Sequence, residues 1–159
     1  VPEAYFGKNS AKVMSLQEPT RKMSKSDENV NATIMLLDDK DTIIRKFKRA
    51  VTDSEAEVRY GEDKPGISNL MDIYGCVTGK TNDEITAEFA GKGYGDFKLA
   101  VGEAVADELA PLQKRYEELL KDKAYIENCI KENDAKAAYF ANKTLRKVHK
   151  KIGLTEMIR

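Results

Sequence analysis

The sequence has few of the residues that build metal sites or disulfide bonds. Its 159 residues include one histidine and two cysteines. Cys76 and Cys129 lie far apart and form no CxxC pair, so with a single histidine they cannot complete a tetrahedral zinc site. Two isolated cysteines are instead typical of a reducing compartment, and we expect a cytoplasmic protein.

An excess of charge and long apolar segments are also missing. Lysine and arginine total 27, as do aspartate and glutamate, so the formal net charge is zero. Since a non-specific polyanion binder usually carries a basic excess, any contact with nucleic acid must come from a local patch. No apolar run reaches the roughly 20 residues of a membrane-spanning helix, and we expect no membrane partner.

Hydrophobic periodicity predicts a mainly α protein. Apolar residues make up 41% of the chain and charged residues 34%, which is ordinary for a charge-rich helical protein. Residues 1–37 read as strand and loop, with an apolar run over 12–16 that suits a short buried strand. From Asp38 onward the pattern is helical almost throughout. We therefore place a domain boundary between residues 1–37 and residues 38–159.

Capping residues predict the ends of the first helices. Asp39 is a suitable N-cap for a helix that stops near Thr52. Ser68 can cap a second helix, which Gly79 would end. Residues 81–84, TNDE, have the spacing of a capping box and open a short third helix.

Three further helices are predicted in the second half of the chain. The longest starts near Asp96 and carries Pro111 inside it, where we expect a kink. A shorter helix follows over about 125–132. The last helix covers about 134–152, and Gly153 would end it.

The last predicted helix has an apolar face and a nearly opposite basic face. Its basic side chains are Lys136, Lys143, Arg146, Lys147, Lys150 and Lys151. One interpretation is a strip that contacts the phosphates of a nucleic acid. The other is an ordinary solvated face, whose lysines near the helix C-terminus also suit the helix dipole.

Residues 22–26, KMSKS, are the most informative segment, and we call them the Lys/Ser loop. Two lysines in a polar loop can both turn toward one polyanion. Each gains about 4 kcal/mol at about 4 Å from a phosphate charge, for an effective dielectric near 20. Such a loop accelerates chemistry only if it binds a departing pyrophosphate more strongly than the intact triphosphate. The simpler interpretation is a solvated loop, because short motifs often occur by chance.

The complete string is identical to the KMSKS loop of class I aminoacyl-tRNA synthetases. Its surroundings resemble the tryptophanyl-tRNA synthetases within that class and fit the tyrosyl enzymes less well. The matching segments occur in the order of the family and cover most of the chain. They are residues 13–16, 18–20, 22–29, 49–54, 64–70 and 91–98.

The resemblance implies that the Lys/Ser loop binds ATP. Lys22 and Lys25 would hold the β- and γ-phosphates and stabilise pyrophosphate as it leaves. Ser24 and Ser26 would add hydrogen bonds, and Met23 would bring loop backbone near the adenine. Mg²⁺ would accompany ATP, and no protein ligand is assigned to it.

Val13 has two interpretations. The resemblance places it at the end of the predicted strand, where it would line the adenine pocket. On the apolar pattern of residues 12–16 alone, it is equally a simple core valine. Both interpretations stay open.

For the protein as a whole, the resemblance implies a two-step reaction. The tryptophan carboxylate attacks the α-phosphate of ATP to give tryptophanyl-adenylate and pyrophosphate, and the acyl group then passes to tRNA(Trp). The implied fold is the C-terminal half of such an enzyme. It combines a short strand-and-loop remnant of a Rossmann-like catalytic domain with a helical tRNA-binding domain of the anticodon-binding kind. Full-length members of the family are homodimers.

Several features of the family are missing from these residues. There is no HIGH-like motif, and the tryptophan pocket belongs to the other half of the family's sequence. The first residue is Val1 rather than methionine, and we expect the chain to begin partway through a longer protein. We therefore predict that these residues alone do not activate tryptophan. Two non-catalytic alternatives stay open, a helical RNA-binding module and a helical dimerisation module.

Overall fold

The computed structural model describes residues 2–3 and 12–154, and helices account for most of them. An isolated antiparallel bridge joins Met14 to Lys22. The mainly α prediction is confirmed. None of the helices in the described part of the chain qualifies as a membrane span. The helices are α1 (Lys40–Lys48), α2 (Pro65–Thr78), α3 (Asn82–Glu88), α4 (Tyr94–Lys121) and α5 (Lys123–Ile152).

The chain divides into two compact units, Val1–Gln113 and Lys114–Arg159. The first unit contains α1, α2, α3 and most of α4, together with the described segment that precedes α1. The second contains the end of α4 and all of α5. The boundary predicted near residue 37 separates domains of a longer protein. The division into compact units does not test it, so it stays a prediction.

One apolar core holds the first unit together. Phe47 of α1, Ile67 of α2 and Phe97 of α4 are each fully buried in it. The rings of Tyr74, Phe89 and Phe97 pack edge to face, with centroids between 4.9 Å and 6.1 Å apart. This arrangement suits the quadrupoles of the rings and adds to the stabilisation that burial provides. Helices α1, α2 and α4 therefore share one core.

Helix α1 begins where the sequence predicts and ends earlier. Asp39 is its N-cap, and its Oδ1 accepts the N–H of Thr42 at 2.7 Å. The helix stops at Lys48 instead of continuing to Thr52. The reason lies in tertiary pairing, because the N–H of Val51 donates to the carbonyl of Leu16 at 2.7 Å. A residue with that partner has left the helical hydrogen-bond pattern.

The predicted start of α2 at Ser68 is wrong. The helix begins at Pro65, and Lys64 is its N-cap residue. Proline is favoured at the first helical position, since its fixed φ suits the helix and no N–H is needed there. Ser68 lies inside the helix, where its hydroxyl donates to the carbonyl of Gly61 at 2.8 Å and accepts the N–H of Gly61 at 3.0 Å.

The predicted end of α2 and start of α3 are confirmed. Gly79 follows α2 with a φ of 73°, a left-handed conformation that glycine adopts without strain. At the start of α3, Thr81 Oγ1 accepts the N–H of Glu84 at 3.4 Å. In return, Glu84 Oε2 accepts the N–H of Thr81 at 2.8 Å. Each partner lies within three residues, so local spacing was enough to predict the capping box.

Helix α5 is one uninterrupted helix of 30 residues, in place of the two predicted over 125–132 and 134–152. Asp122 is its N-cap residue and accepts the N–H of Tyr125 at 3.0 Å. The polar residues near position 134 read as a new helix start, but the segment contains no glycine or proline that would break the helix. Gly153 ends it with a φ of 75°, as predicted.

Helix α4 crosses α1 at a glycine. A Cβ added to Gly102 would lie 2.9 Å from the Cα of Ile44, which is closer than Cβ atoms approach backbone in folded proteins. Gly95, in the first turn of the same helix, has no atom within 4 Å of such a Cβ. The contact between α4 and α1 therefore needs a residue without a side chain at position 102. Position 95 has no such requirement.

We predict that Gly102→Ala destabilises the first unit by about 1–3 kcal/mol, the usual cost of overpacking a close contact. The measurement is urea unfolding followed by far-UV circular dichroism. The extra methyl group meets the backbone of Ile44, which cannot move away as a flexible side chain would.

Gly95→Ala is the matched control, because it makes the same change in the same helix without a clash. It should be neutral or slightly stabilising, since alanine favours helices more than glycine does. Equal unfolding midpoints for the two variants would contradict the close packing at Gly102.

Candidate functional site

The Lys/Ser loop starts from a short antiparallel pairing. Met14 and Lys22 face each other in the isolated bridge. Next to it, the N–H of Met23 donates to the carbonyl of Val13 at 3.0 Å. The backbone at the first lysine of the loop is therefore anchored, whereas the rest of the loop extends beyond the bridge.

Beyond the bridge, the chain turns on hydrogen bonds to its own polar groups. The carbonyl of Ser24 accepts the N–H of Asp27 at 3.2 Å, and the hydroxyl of Ser24 accepts the N–H of Ser26 at 3.3 Å. Asp27 Oδ1 then accepts the N–H of Asn29 at 2.9 Å. Serine and aspartate side chains favour such turns because they satisfy the backbone without a helix or a strand.

The side chains that carry chemistry lie at the surface of this turn. Lys22, Ser24, Lys25 and Ser26 are exposed, whereas Met23 is half-buried and packs against the core. One anchored loop thus presents two ammonium groups and two hydroxyl groups to solvent. These are the groups that bind phosphate oxygens through charge-assisted hydrogen bonds.

Val13 lies beside the loop. Its side chain is half-buried and packs against the core, while its carbonyl accepts the hydrogen bond from Met23. The packing agrees with its interpretation as a core valine. Its place in an adenine pocket stays a prediction.

A second polar cluster connects three segments of the first unit. Lys64 is buried, with 1% of its side chain exposed. Its Nζ lies 2.9 Å from Asp53 Oδ1, 2.7 Å from Glu55 Oε2 and 3.1 Å from the hydroxyl of Tyr94. The hydroxyl of Tyr94 donates to Asp53 Oδ1 at 2.6 Å. We call these four residues the Lys64 cluster.

A family profile described as tRNA synthetases class I (W and Y) matches residues 4–110. The chain belongs to this family. The match includes the Lys/Ser loop, all three segments that meet in the Lys64 cluster, α1, α2, α3 and the first part of α4.

Curated relatives in the family are tryptophan–tRNA ligases. The ligase of Clostridium tetani is 50% identical over 153 residues, which cover 96% of this chain and 45% of the relative. That of Listeria monocytogenes serovar 1/2a is 48% identical over 155 residues, covering 97% and 46%. The resemblance to tryptophanyl-tRNA synthetases is confirmed, and the chain spans about half the length of these relatives.

Solved structures of class I synthetases share the fold. The tryptophanyl-tRNA synthetase of Mycoplasma pneumoniae has a TM-score of 0.72 and 30% identity, over 94% of this chain and 45% of that one. The Campylobacter jejuni enzyme, whose structure is a complex with ADP and tryptophan, has a TM-score of 0.71 and 26% identity. The match covers 96% of this chain and 47% of the Campylobacter jejuni chain.

Sequence reasoning missed the residue that holds the short paired segment. Asn69 of α2 is buried, and its Oδ1 accepts the N–H of Met14 at 2.9 Å. Its Nδ2 donates to the carbonyl of Met14 at 3.0 Å. The amide thus takes the place of a neighbouring strand. The sequence signal that could have indicated this role was a polar residue among the apolar residues of a buried helix.

The Lys64 cluster was also missed, although its segments carry much of the family resemblance. Tyr94 begins α4, and its hydroxyl bonds the side chains of Lys64 and Asp53. Burial alone would raise the pKa of Asp53. Hydrogen bonds from Tyr94, Lys64 and the N–H of Glu55, with the positive charge of Lys64, outweigh burial and lower that pKa from 3.8 to about 2.

We predict that Asp53→Asn lowers the free energy of unfolding at neutral pH by about 1–2 kcal/mol. This figure allows for solvent screening, since 25% of the Asp53 side chain is exposed. A carboxylate with a lowered pKa stabilises the fold above its unfolded pKa, near 4, and this contribution is lost as the pH falls toward about 2. Urea unfolding at several pH values measures the difference between variant and wild type.

The difference should therefore shrink as the pH falls below about 4. Glu62→Gln provides the control, because Glu62 is exposed in the same connector between α1 and α2. A destabilisation by Asp53→Asn that stays constant with pH would argue against a charged Asp53 as its cause.

Proposed function

We propose that this chain is part of a tryptophan–tRNA ligase, to which it contributes the Lys/Ser loop and a helical tRNA-binding region. The complete protein would activate tryptophan with ATP and transfer it to tRNA(Trp). The main support is the intact KMSKS string, anchored at Lys22 and with both ammonium groups exposed. It occurs in a chain that is 50% identical to a relative of that name.

In the first step, a carboxylate oxygen of tryptophan attacks the α-phosphorus of ATP. The bond from that phosphorus to the oxygen bridging to the β-phosphate breaks, and pyrophosphate leaves with the electron pair. Lys22 and Lys25 would bind the β- and γ-phosphates and stabilise the charge that grows there. Stabilisation that is stronger for the departing group than for bound ATP lowers the barrier.

The rest of the loop would support this contact. Ser24 and Ser26 have exposed hydroxyl groups that can bond phosphate oxygens. Asp27, which directly follows Ser26, has one carboxylate oxygen that accepts the N–H of Asn29. Mg²⁺ bound with ATP would share the phosphate charge, and we assign it no protein ligand.

The adenine end of ATP would lie against Val13 and Met23. Both side chains are half-buried on the core, and a backbone hydrogen bond of 3.0 Å joins the two residues. An apolar side chain on a fixed backbone can pack against the face of a purine ring. The phosphates would then extend toward the exposed part of the loop.

In the second step, a ribose hydroxyl at the end of tRNA(Trp) attacks the acyl carbon, and AMP leaves. The helical region would contact the tRNA, and the complete protein would act as a homodimer in the cytoplasm. Within the second unit, the basic side chains of α5 between Lys136 and Lys151 are exposed, as a phosphate-binding strip requires.

The second candidate function is a helical RNA-binding module without catalysis. The same exposed basic side chains of α5 support it. Such a module would show no tryptophan-dependent exchange, and its binding to tRNA would be independent of the Lys/Ser loop.

We predict that Lys22→Ala and Lys25→Ala each lower kcat for tryptophan-dependent ATP–pyrophosphate exchange by about 100-fold, as loss of a transition-state donor does. The protein is expressed from its complete reading frame. The dissociation constant for tryptophan should change little, since neither lysine is assigned to the tryptophan pocket.

Lys48→Ala is the control, because Lys48 is exposed on α1 outside the loop. Unchanged exchange in both loop variants would contradict the ligase proposal for this loop. A protein without exchange whose salt-dependent tRNA binding survives both loop substitutions would indicate the RNA-binding module.

The 159 residues alone are expected to show no tryptophan-dependent exchange, because they contain no HIGH-like motif and their single histidine, His149, lies in α5. The protein from the complete reading frame is the positive control in the same assay. Circular dichroism would first establish that the shorter chain is helical. Measurable exchange by the folded shorter chain would refute this expectation.

A further inference from the structure

A threonine outside the Lys/Ser loop holds the middle of the loop. The hydroxyl of Thr33 donates to the carbonyl of Ser24 at 2.7 Å. That carbonyl also accepts the N–H of Asp27 at 3.2 Å. The backbone between the two lysines of the loop is therefore tied to the segment that leads into α1.

A buried lysine of α1 holds Thr33 in turn. Only 7% of the Lys46 side chain is exposed. Its Nζ donates to the carbonyl of Thr33 at 2.8 Å and to Asp38 Oδ2 at 2.6 Å. The same Asp38 oxygen accepts the N–H of Met35 at 2.9 Å. One ammonium group thus organises the whole segment over 33–38.

A buried lysine is costly and is retained only with a carboxylate and further hydrogen-bond partners. The hydrogen bonds of Lys46 are made outside helix α1, to Thr33 and Asp38. Lys40 of the same helix has its charge at the surface, with 57% of its side chain exposed beside Asp107. The buried position of Lys46 instead directs its hydrogen bonds to a segment without secondary structure.

We propose that Thr33 and Lys46 are positioning residues for the Lys/Ser loop in the activation step. The inference rests on the proposed function. The chain of hydrogen bonds from Lys46 through Thr33 to Ser24 restricts the positions that the loop can adopt. When it is broken, fewer of those positions place Lys22 and Lys25 against the departing pyrophosphate, and catalysis slows through the loss of orientation.

The test uses the protein from its complete reading frame and compares Thr33→Val with Thr33→Ser. Valine keeps the shape of threonine and removes the hydroxyl, whereas serine keeps the hydroxyl. We expect Thr33→Val to lower kcat for ATP–pyrophosphate exchange by about tenfold, the scale of one lost hydrogen bond. The KM for tryptophan should change by less than about twofold, because the loss acts in the transition state. Thr33→Ser should restore kcat.

A second readout follows the loop directly. Trypsin cuts after lysine, so its rate of cleavage after Lys22 and Lys25, followed by mass spectrometry, reports how freely the loop moves. Thr33→Val should be cut faster than wild type, and Thr33→Ser should not. This measurement does not depend on the ligase reaction.

Lys46→Met tests the other end of the chain of hydrogen bonds, with Lys40→Met as the matched control on the same helix. Lys46→Met should lower kcat and speed cleavage, and Lys40→Met should do neither. Should Lys46→Met fail to fold, the two Thr33 variants still decide the proposal, since neither removes a partner of the buried ammonium group.

Wild-type values of kcat and cleavage rate in Thr33→Val would overturn the proposal. Equal losses in Thr33→Val and Thr33→Ser would also overturn it, because the hydroxyl would then not be responsible. These results differ from failure of the proposed function, in which the unaltered protein shows no tryptophan-dependent exchange and both proposals fail together.

Discussion

The amide of Asn69 holds the short extended segment from which the Lys/Ser loop begins. It bonds both the N–H and the carbonyl of Met14, at 2.9 Å and 3.0 Å, and so satisfies backbone groups that a neighbouring strand would otherwise satisfy. Buried backbone groups without partners are costly, so a lone bridge needs such a substitute. Because Met14 pairs with Lys22, the same amide sets where the proposed phosphate-binding loop starts.

Three lysines hold the irregular segments in place through hydrogen bonds and ion pairs, whereas apolar packing holds the helices of the first unit. Lys46 binds the segment over 33–38, Lys64 binds Asp53, and Lys98 donates to the carbonyl of Ala50 at 2.8 Å. In the segment over 33–38, the side chains of Met35, Leu36 and Leu37 are exposed, so they contribute little packing that could anchor it. An ammonium group offers three donors and can collect carbonyl and carboxylate oxygens from different parts of the chain. In the first unit the helices therefore pack through one apolar core, and lysine ammonium groups join the connecting segments to it.

Predictions from the sequence succeeded where all the partners were close in the chain. The cap at Asp39, the capping box that Thr81 opens and the glycine stop at Gly153 are all present. The start at Ser68 failed because its hydroxyl has a partner in the preceding connector, which local spacing does not reveal. The break expected near residue 134 failed because a helix that is already formed continues through polar residues at little cost.

The sequence by itself determined the helical content, several of the helix ends and the KMSKS string that points to the family. These features depend on side chains within about four positions of one another, so the spacing of residue types along the chain is enough to predict them. Only the tertiary structure decided that Lys46 meets Thr33, that Lys64 meets Tyr94 and that Asn69 meets Met14. A buried polar group bonds whichever partner helix packing brings within reach, and no local pattern in the sequence specifies that partner.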